Sequence, residues 1–312
     1  MSSPEISILM PTYNYASFLP EAIASALAQD FQDFELLILD DASSDNTADV
    51  VKPFCVRDAR VRFSINPANL GMVANWNQCL KEARGRHIKF LFGDDKLSDP
   101  QALTKMLALL RNNPKATLAA SARTILNAKS KVIDISRTLR NGRHDGRKII
   151  ADCLIENGNL IGEPSSVLFR KSDAARGFDT TYRQLVDMEM WFHLLERGDL
   201  FYTREPLCAF RRHAGQQTAV NNANYSIKEQ LMLVAAYGAK PWMPARQRLD
   251  ILYRARRGLR RDPGAEPQLL ELERQYAASH GQPEYFGARM KYNVVRPLEN
   301  LKRSLQKRRP RR

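Results

Sequence analysis

The chain has 312 residues, 44% of them hydrophobic, 8% aromatic and 26% charged, the balance of an ordinary soluble globular protein; wholesale disorder, collagen and coiled coil are excluded. No apolar run approaches the roughly 18 to 20 residues of a membrane-spanning helix, and the N-terminus opens on a strand-like ISILM rather than a basic, apolar leader, so a cytoplasmic protein is expected. The formal net charge of +14 is unevenly spread: residues 241–312 carry 18 Lys and Arg against 7 Asp and Glu, so the basic character belongs to the C-terminal quarter.

Residues 6–10 (ISILM) and 34–39 (FELLIL) are short continuous apolar runs, the pattern of strands buried on both faces of a parallel sheet. Between them Leu19, Ile23 and Leu27 recur at helical spacing, with Ser17 as N-cap and Glu21 in the first turn, which makes a βαβ unit. The alternation continues with a helix near 46–54, a strand at 61–65, a helix at 71–84, the apolar run 88–92 (IKFLF), a helix at 100–111 and a strand at 117–121. A polar loop follows around Asn141 to Gly146. Beyond about residue 216 the pattern is helical, at 225–238, 245–261, 265–279 and 285–309, after a polar linker at 216–224.

In an open α/β sheet, ligands bind in the crevice at the carboxyl ends of the strands. Pro11, Thr12, Tyr13 and Asn14 close the first strand; Asp40 and Asp41 close the second, followed by Ala42, Ser43, Ser44 and Asp45. Small hydroxyl residues let a nucleotide approach, Tyr13 offers a ring to a base and a carboxylate accepts from a base N–H. The same loop also reads as a turn whose Ser44 or Asp45 caps the next helix. IKFLF runs into Gly93, Asp94 and Asp95, and two adjacent carboxylates repel unless they share a cation; oxygen ligation suits Mg²⁺ or Mn²⁺ with phosphate co-ligands. An exposed acidic turn is the alternative. Trp76 either stacks on a sugar or fills the core, and His87, His144 and His193 read as structural. The four cysteines are scattered and read as reduced, mostly buried thiols.

Taken together, PTYN, LDDASSD, NLGMVANWNQCLKEARG, FLFGDD, IGEPSSVLFR (161–170), DMEMWFHLLERG (187–198) and FRRHAGQQT (210–218) resemble, in order and spacing, the family 2 inverting glycosyltransferases. The resemblance implies a GT-A, Rossmann-like α/β fold with a mostly parallel sheet flanked by helices, over residues 1–218. Residues 1–100 would form the nucleotide-sugar half and 101–218 the acceptor half, with 219–312 as a basic helical extension. It also implies that Pro11, Thr12, Tyr13, Asn14 and Asp40 meet the nucleotide with Asp41 close by, and that Asp94 and Asp95 meet ribose and a divalent metal. Phe92 stands where the commoner DxD motif has its first Asp. Asp187, at a helix start, matches the general base, although Val186 replaces the usual preceding Glu; a carboxylate favoured by the helix dipole is the alternative. Arg211 matches a phosphate contact and His213 a metal or phosphate contact, while Glu163, Glu189 and Trp191 fall in the acceptor region.

The expected activity is metal-dependent, inverting transfer from a nucleotide-diphosphate sugar, UDP-linked, to a hydroxyl of a surface glycan or lipid-linked acceptor in cell-surface polysaccharide synthesis. A nucleotidyltransferase should carry a Gly-rich, basic loop after its first strand, which PTYNYASF is not; a non-catalytic sugar-nucleotide scaffold would not need Asp187. The last eleven residues, KRSLQKRRPRR, hold seven Lys or Arg, behind Leu298, Leu301 and Leu305 at helical spacing. Such a segment is suited to a peripheral hold on an anionic membrane, with a solvated tail as the alternative. No nucleic-acid motif accompanies the charge.

Overall fold

The computed structural model describes residues 3–216, 221, 226–244, 246–248, 250–252, 271 and 274. The chain divides into two compact units, one of Met1–Ile150 with Asn159–Ser226, the other of Ala151–Gly158 with Ile227–Arg312.

The first unit opens with β1 (Ile6–Thr12), α1 (Leu19–Leu27), β2 (Phe34–Asp40), α2 (Thr47–Arg57), β3 (Val61–Ile65), α3 (Met72–Glu82) and β4 (His87–Phe90). β1 lies between β2 and β4 and pairs in parallel with both, while β2 pairs in parallel with β3. Every residue of β1 and β2 is buried, which is why both read as unbroken apolar runs. Ser17 does not cap α1. The Tyr15 carbonyl accepts from Phe18 (2.9 Å) and Leu19 (3.1 Å), so the helix is entered through a backbone turn, with Phe18 at the N-cap and a proline in its first turn.

Next come β5 (Lys96–Leu97), α4 (Ala102–Arg111), β6 (Ala116–Asn127), β7 (Val132–Ser136), β8 (Gly142–His144), α5 (Gly146–Glu156), β9 (Val167–Arg170), α6 (Val186–Leu195) and β10 (Asp199–Arg212). The sheet order is β3-β2-β1-β4-β9-β6-β10-β5, with β7 on β6 and β8 on β10. β6 and β10 pair in parallel, but β9 is antiparallel to both β4 and β6, so the sheet is mixed on this side. Ile6, Ile8 and Met10 of β1 share a core with Ile23 of α1 and with Leu103, Met106 and Leu107 of α4. Burial of such a side chain is worth about 1.5–3 kcal/mol.

Trp76 fills the core, packed on Phe90 (5.9 Å between centroids), Phe92 (4.9 Å) and Phe178 (5.4 Å). Phe92, in the place of the first Asp of a DxD motif, is therefore an aromatic wedge beneath the acidic pair. Cys79, Cys153 and Cys208 are buried, Cys55 is half-buried, and none of them is joined in a disulfide. In the second unit α7 (Ser226–Gly238) buries Leu231, Leu233, Val234 and Tyr237. The expected helix at 285–309, most of those at 245–261 and 265–279, and the basic tail lie outside the described residues. Among the described residues no helix is long and apolar enough to cross a membrane.

Candidate active site

The parallel register sets Thr12 beside Asp40 at the carboxyl end of the sheet, and the Asp41 N–H donates to the Thr12 carbonyl (2.9 Å). The loops that follow are bolted together by Asn14, whose φ of 57° turns the chain back. Its side-chain oxygen accepts from the Ser44 and Asp45 N–H groups (2.9 and 3.3 Å), and its own N–H donates to Ser43 Oγ (2.8 Å). Asp45 accepts from the Ala16 N–H (3.0 Å) as well as from the Thr47 N–H (3.0 Å), so it ties the two loops to the start of α2, whose N-cap is Asn46 rather than Ser44 or Asp45. Asp40 is buried and accepts from the Ser43 N–H and hydroxyl; burial pushes its pKa up, and Asp45 and Asp41 add to this. Tyr13 is 47% exposed, a ring free to meet a planar ligand, and the buried Thr12 hydroxyl has no hydrogen-bond partner. Asp41 is turned the other way, accepting from Asn66 Nδ2 (2.8 Å), the Leu70 N–H (2.9 Å) and the Gly71 N–H (2.9 Å), so it holds the loop before α3.

Asp94 and Asp95 are both buried. Asp94 Oδ2 lies 3.1 Å from His213 Nε2, and the imidazole packs on Phe18 (4.8 Å between centroids) and Tyr15 (5.9 Å). Asp95 Oδ1 accepts from the Arg211 N–H (3.0 Å), while Asp95 Oδ2 has no hydrogen-bond partner. Burial first and the Asp94 charge second push the Asp95 pKa well above the ordinary carboxylate range, with Ser165 and the Arg211 N–H opposing. An orphaned, buried carboxylate oxygen beside a second carboxylate is costly unless a cation shares it. The pair therefore fits a hard divalent ion. Among the described residues no group of three or more His, Cys, Asp or Glu is gathered to hold a metal, so phosphate oxygens and water would have to supply most of the shell.

Arg211 does not reach for phosphate. It is fully buried and its guanidinium is already used: Nε donates to the Asp94 carbonyl (2.7 Å), Nη1 to Ser130 Oγ (2.7 Å) and Nη2 to Glu21 Oε2 (2.6 Å). Burial works against the Glu21 charge, yet hydrogen bonds from Lys96, Ser130 and Arg211 hold its pKa down to about 2. Arg211 is a brace behind the acidic pair.

The third part of the site stands where α6 begins. Asp187 Oδ2 accepts from Asn159 Nδ2 (3.1 Å) and Oδ1 from the Met188 N–H (2.8 Å). Asn159 also donates to the Gly162 carbonyl (3.1 Å) and accepts from the Ile161 and Gly162 N–H groups (3.0 and 2.8 Å). Gly162 has φ +132°, and a Cβ there would sit 2.2 Å from Ser166 Oγ, so the turn needs glycine. Burial raises the Asp187 pKa to about 7; the Glu163 charge adds to it, while the Met188 N–H and Arg123 oppose. Glu163 pairs with the buried Arg123 of β6, and its charge raises both Asp187 and Asp95. The base candidate and the acidic pair thus share one electrostatic neighbourhood.

Two of the expected acceptor residues are internal. Trp191 is fully buried, its indole N–H donating to the Gly162 carbonyl (3.1 Å) and its ring edge-on to Phe169 (5.7 Å), so it holds the 159–166 turn and meets no acceptor. Glu189 is buried with its carboxylate on Arg176 Nη2 (2.6 Å). Sequence reasoning passed over Asn159, Arg123 and Lys89. Lys89, in the middle of β4, is fully buried and donates to the Ser165 carbonyl; burial lowers its pKa to about 8. Arg123 and Lys89 each interrupt an apolar strand, and such a break was the available signal.

The family model of Glycosyl transferase family 2 matches residues 7–174, more than half of the chain. The chain belongs to this family. Among curated relatives of this glycosyltransferase, the uncharacterized protein MT1568 of Mycobacterium tuberculosis is 32% identical over 228 residues, covering 70% of each chain. The GalNAc(5)-diNAcBac-PP-undecaprenol beta-1,3-glucosyltransferase of Campylobacter jejuni is 38% identical over 95 residues, which span 30% of this glycosyltransferase and 31% of that protein. Among solved structures, S. aureus TarS 1-349 in complex with UDP-GlcNAc superposes with a TM-score of 0.66 at 16% identity, covering 87% of this chain and 80% of that one; the likeness places the glycosyltransferase in the GT-A fold.

Asp187 as the candidate base must be ionised to accept a proton, and with its pKa raised to about 7 that role predicts a transfer rate that depends on pH in a definite sense. The rate should fall as pH drops through about 7, by about tenfold per unit well below it, in single-turnover measurements at saturating donor. Asn159 stabilises the ionised form through one hydrogen bond, so Asn159→Ala should move the midpoint upward by about one unit. An unmoved midpoint would separate Asn159 from the base.

Proposed function

We propose that this glycosyltransferase moves a sugar, with inversion, from a UDP-linked donor to a hydroxyl of a surface glycan or lipid-linked precursor, in a metal-dependent reaction that serves cell-surface polysaccharide synthesis. The observation that carries this reading is Asp187, a half-buried carboxylate held by Asn159 and the Met188 N–H, with a pKa raised to about 7, in the same electrostatic neighbourhood as Asp95. The donor assignment draws on the UDP-GlcNAc bound by TarS, and the acceptor class on the undecaprenol-linked chemistry in the name of the Campylobacter relative.

In this reading Tyr13 stacks on the base and Asp40, fixed by Ser43, accepts from it. Asp187 removes the acceptor hydroxyl proton as the oxygen attacks the anomeric carbon from the side opposite the departing diphosphate, which inverts the configuration. Asn159 keeps the carboxylate aimed and ionised, and burial keeps it basic enough to take the proton. Asp94 and Asp95 would hold Mn²⁺ or Mg²⁺, whose chemistry is to neutralise the charge of the leaving diphosphate.

A thermal-shift panel of UDP, UDP-sugars and other nucleotide diphosphates, with and without Mn²⁺, tests the donor assignment. A ligand at about 100 times its Kd should add about 2.7 kcal/mol to stability. Uridine ligands should stabilise in the presence of Mn²⁺ and much less without it. Equal stabilisation by every nucleotide would remove the base assignment, and none by any would remove the donor site.

A further inference from the structure

The β6–β7 hairpin is unlike the rest of the first unit. Its turn is firmly built: the Asn127 N–H donates to the Lys131 carbonyl (2.9 Å), the Ser130 N–H to the Asn127 carbonyl (3.1 Å), and Asn127 Oδ1 accepts from the Lys129 and Lys131 N–H groups (2.9 and 3.1 Å). Beyond that turn, Val132, Ile133 and Ile135 are 54%, 53% and 37% exposed. β7 pairs with Leu126 through Val132 but with Ile125 through Asp134, so Ile133 is an extra residue in the strand. Such a bulge breaks strict alternation and re-aims side chains. The intervening Asp134 carboxylate accepts from the Ile135 N–H (2.7 Å).

Cations flank this segment in the sequence. Lys129 and Lys131 precede it, and Arg137, Arg140 and Arg143 follow, all exposed. Arg143 lies on β8, which pairs with β10 rather than with β7, and is paired with Asp199, so Lys129 and Lys131 in the turn and Arg137 just after β7 carry the charge of the patch. Exposed branched aliphatics rimmed by Lys and Arg form the pattern of a surface that enters the headgroup boundary of a bilayer while its cations meet anionic lipid.

We propose that the β6–β7 hairpin docks this enzyme on an anionic lipid bilayer. Charge complementarity selects this occupant. Pairing of two copies through the open edge of β7 would bring the two sets of cations together, whereas an anionic leaflet neutralises them and buries the aliphatic tip. The placement also suits the proposed acceptor: Ser130 and Asn127 in the turn accept from Arg211, whose own N–H donates to Asp95. A bilayer on the hairpin therefore lies beside the acidic pair.

The test is co-sedimentation of the full chain with vesicles of phosphatidylcholine containing phosphatidylglycerol, across a salt series. The parent should bind these vesicles, bind pure phosphatidylcholine far more weakly, and release with added salt as the Debye length falls from about 10 Å at 0.1 M to about 3 Å at 1 M. Ile133→Ser with Ile135→Ser, and separately Lys129→Glu with Lys131→Glu, should each weaken binding by about tenfold or more, the second pair also flattening the salt dependence. Thermal stability and donor hydrolysis should be unchanged in both, since all four side chains are exposed and none touches the site. The basic tail is present in every protein compared, so binding as tight as the parent's by both variants overturns the proposal and assigns the membrane to another surface. Loss of a dimer in sedimentation equilibrium with vesicle binding unchanged overturns it in favour of a second copy. Vesicle binding needs no donor, so it stands or falls apart from the assigned chemistry.

Discussion

Asp187→Asn should retain donor binding and lose transfer by about 10²- to 10⁴-fold, the usual cost of removing a general base. Asn keeps an oxygen for the Met188 N–H and nearly the same shape, but takes no proton at neutral pH. A second signature separates this from a damaged fold. The folded-state pKa of Asp187 is raised from 3.8 to about 7, so the stability this group contributes is fully present below about pH 4 and is lost as pH rises through about 7. The variant should escape that loss, and its melting temperature should gain on the parent's at pH 8 but not at pH 4. Near-parental turnover would move the base elsewhere.

Asp95→Asn should weaken Mn²⁺-dependent donor binding by more than about 100-fold, since substitutions one shell further out already cost about 10- to 100-fold. Asn preserves an acceptor for the Arg211 N–H, so the brace stays in place. The sign of its effect on stability is opposite to that on binding. The Asp95 pKa is raised by burial and by Asp94, so in metal-free protein the stability it contributes is lost as pH climbs above the ordinary carboxylate range. Removing the ionisable carboxyl should raise the melting temperature of the metal-free protein at neutral pH, and adding Mn²⁺ should raise it for the parent far more than for the variant. Donor binding by Asp95→Asn at parental strength, with or without metal, would dissociate the acidic pair from the metal.

The parts of this fold written in local pattern were legible. β1 and β2 and the helix between them follow from apolar runs and helical spacing because each strand buries all its side chains by the simplest geometry, and β3, of which only Val61 is buried, follows from the alternation of elements. β9 was not legible: four residues inserted antiparallel between β4 and β6 depend on pairing with strands about 50 and 80 residues away. The site divides in the same way. Carboxylates at strand ends announce themselves, which singles out Asp40, Asp94 and Asp95, whereas Asp187 stands at a helix start and is singled out only by the family resemblance. The resemblance assigns Arg211 to phosphate, because nothing local says that Glu21, Ser130 and Asp94 take up its guanidinium. Asn159 carries no charge and Trp191 no visible purpose until the Gly162 turn brings both to one carbonyl.

Arg211 also sets the order in which the site can be made. A chain growing from its N-terminus has Asp94 and Asp95 in hand more than a hundred residues before the N–H and guanidinium that brace them emerge, and α1, the β6–β7 turn and the acidic loop all wait on that one residue for their common tie. A ribosome-bound or truncated chain that ends before β10 would hold the nucleotide-side loops with an unbraced acidic pair. Competence to bind donor should arrive late in synthesis and abruptly.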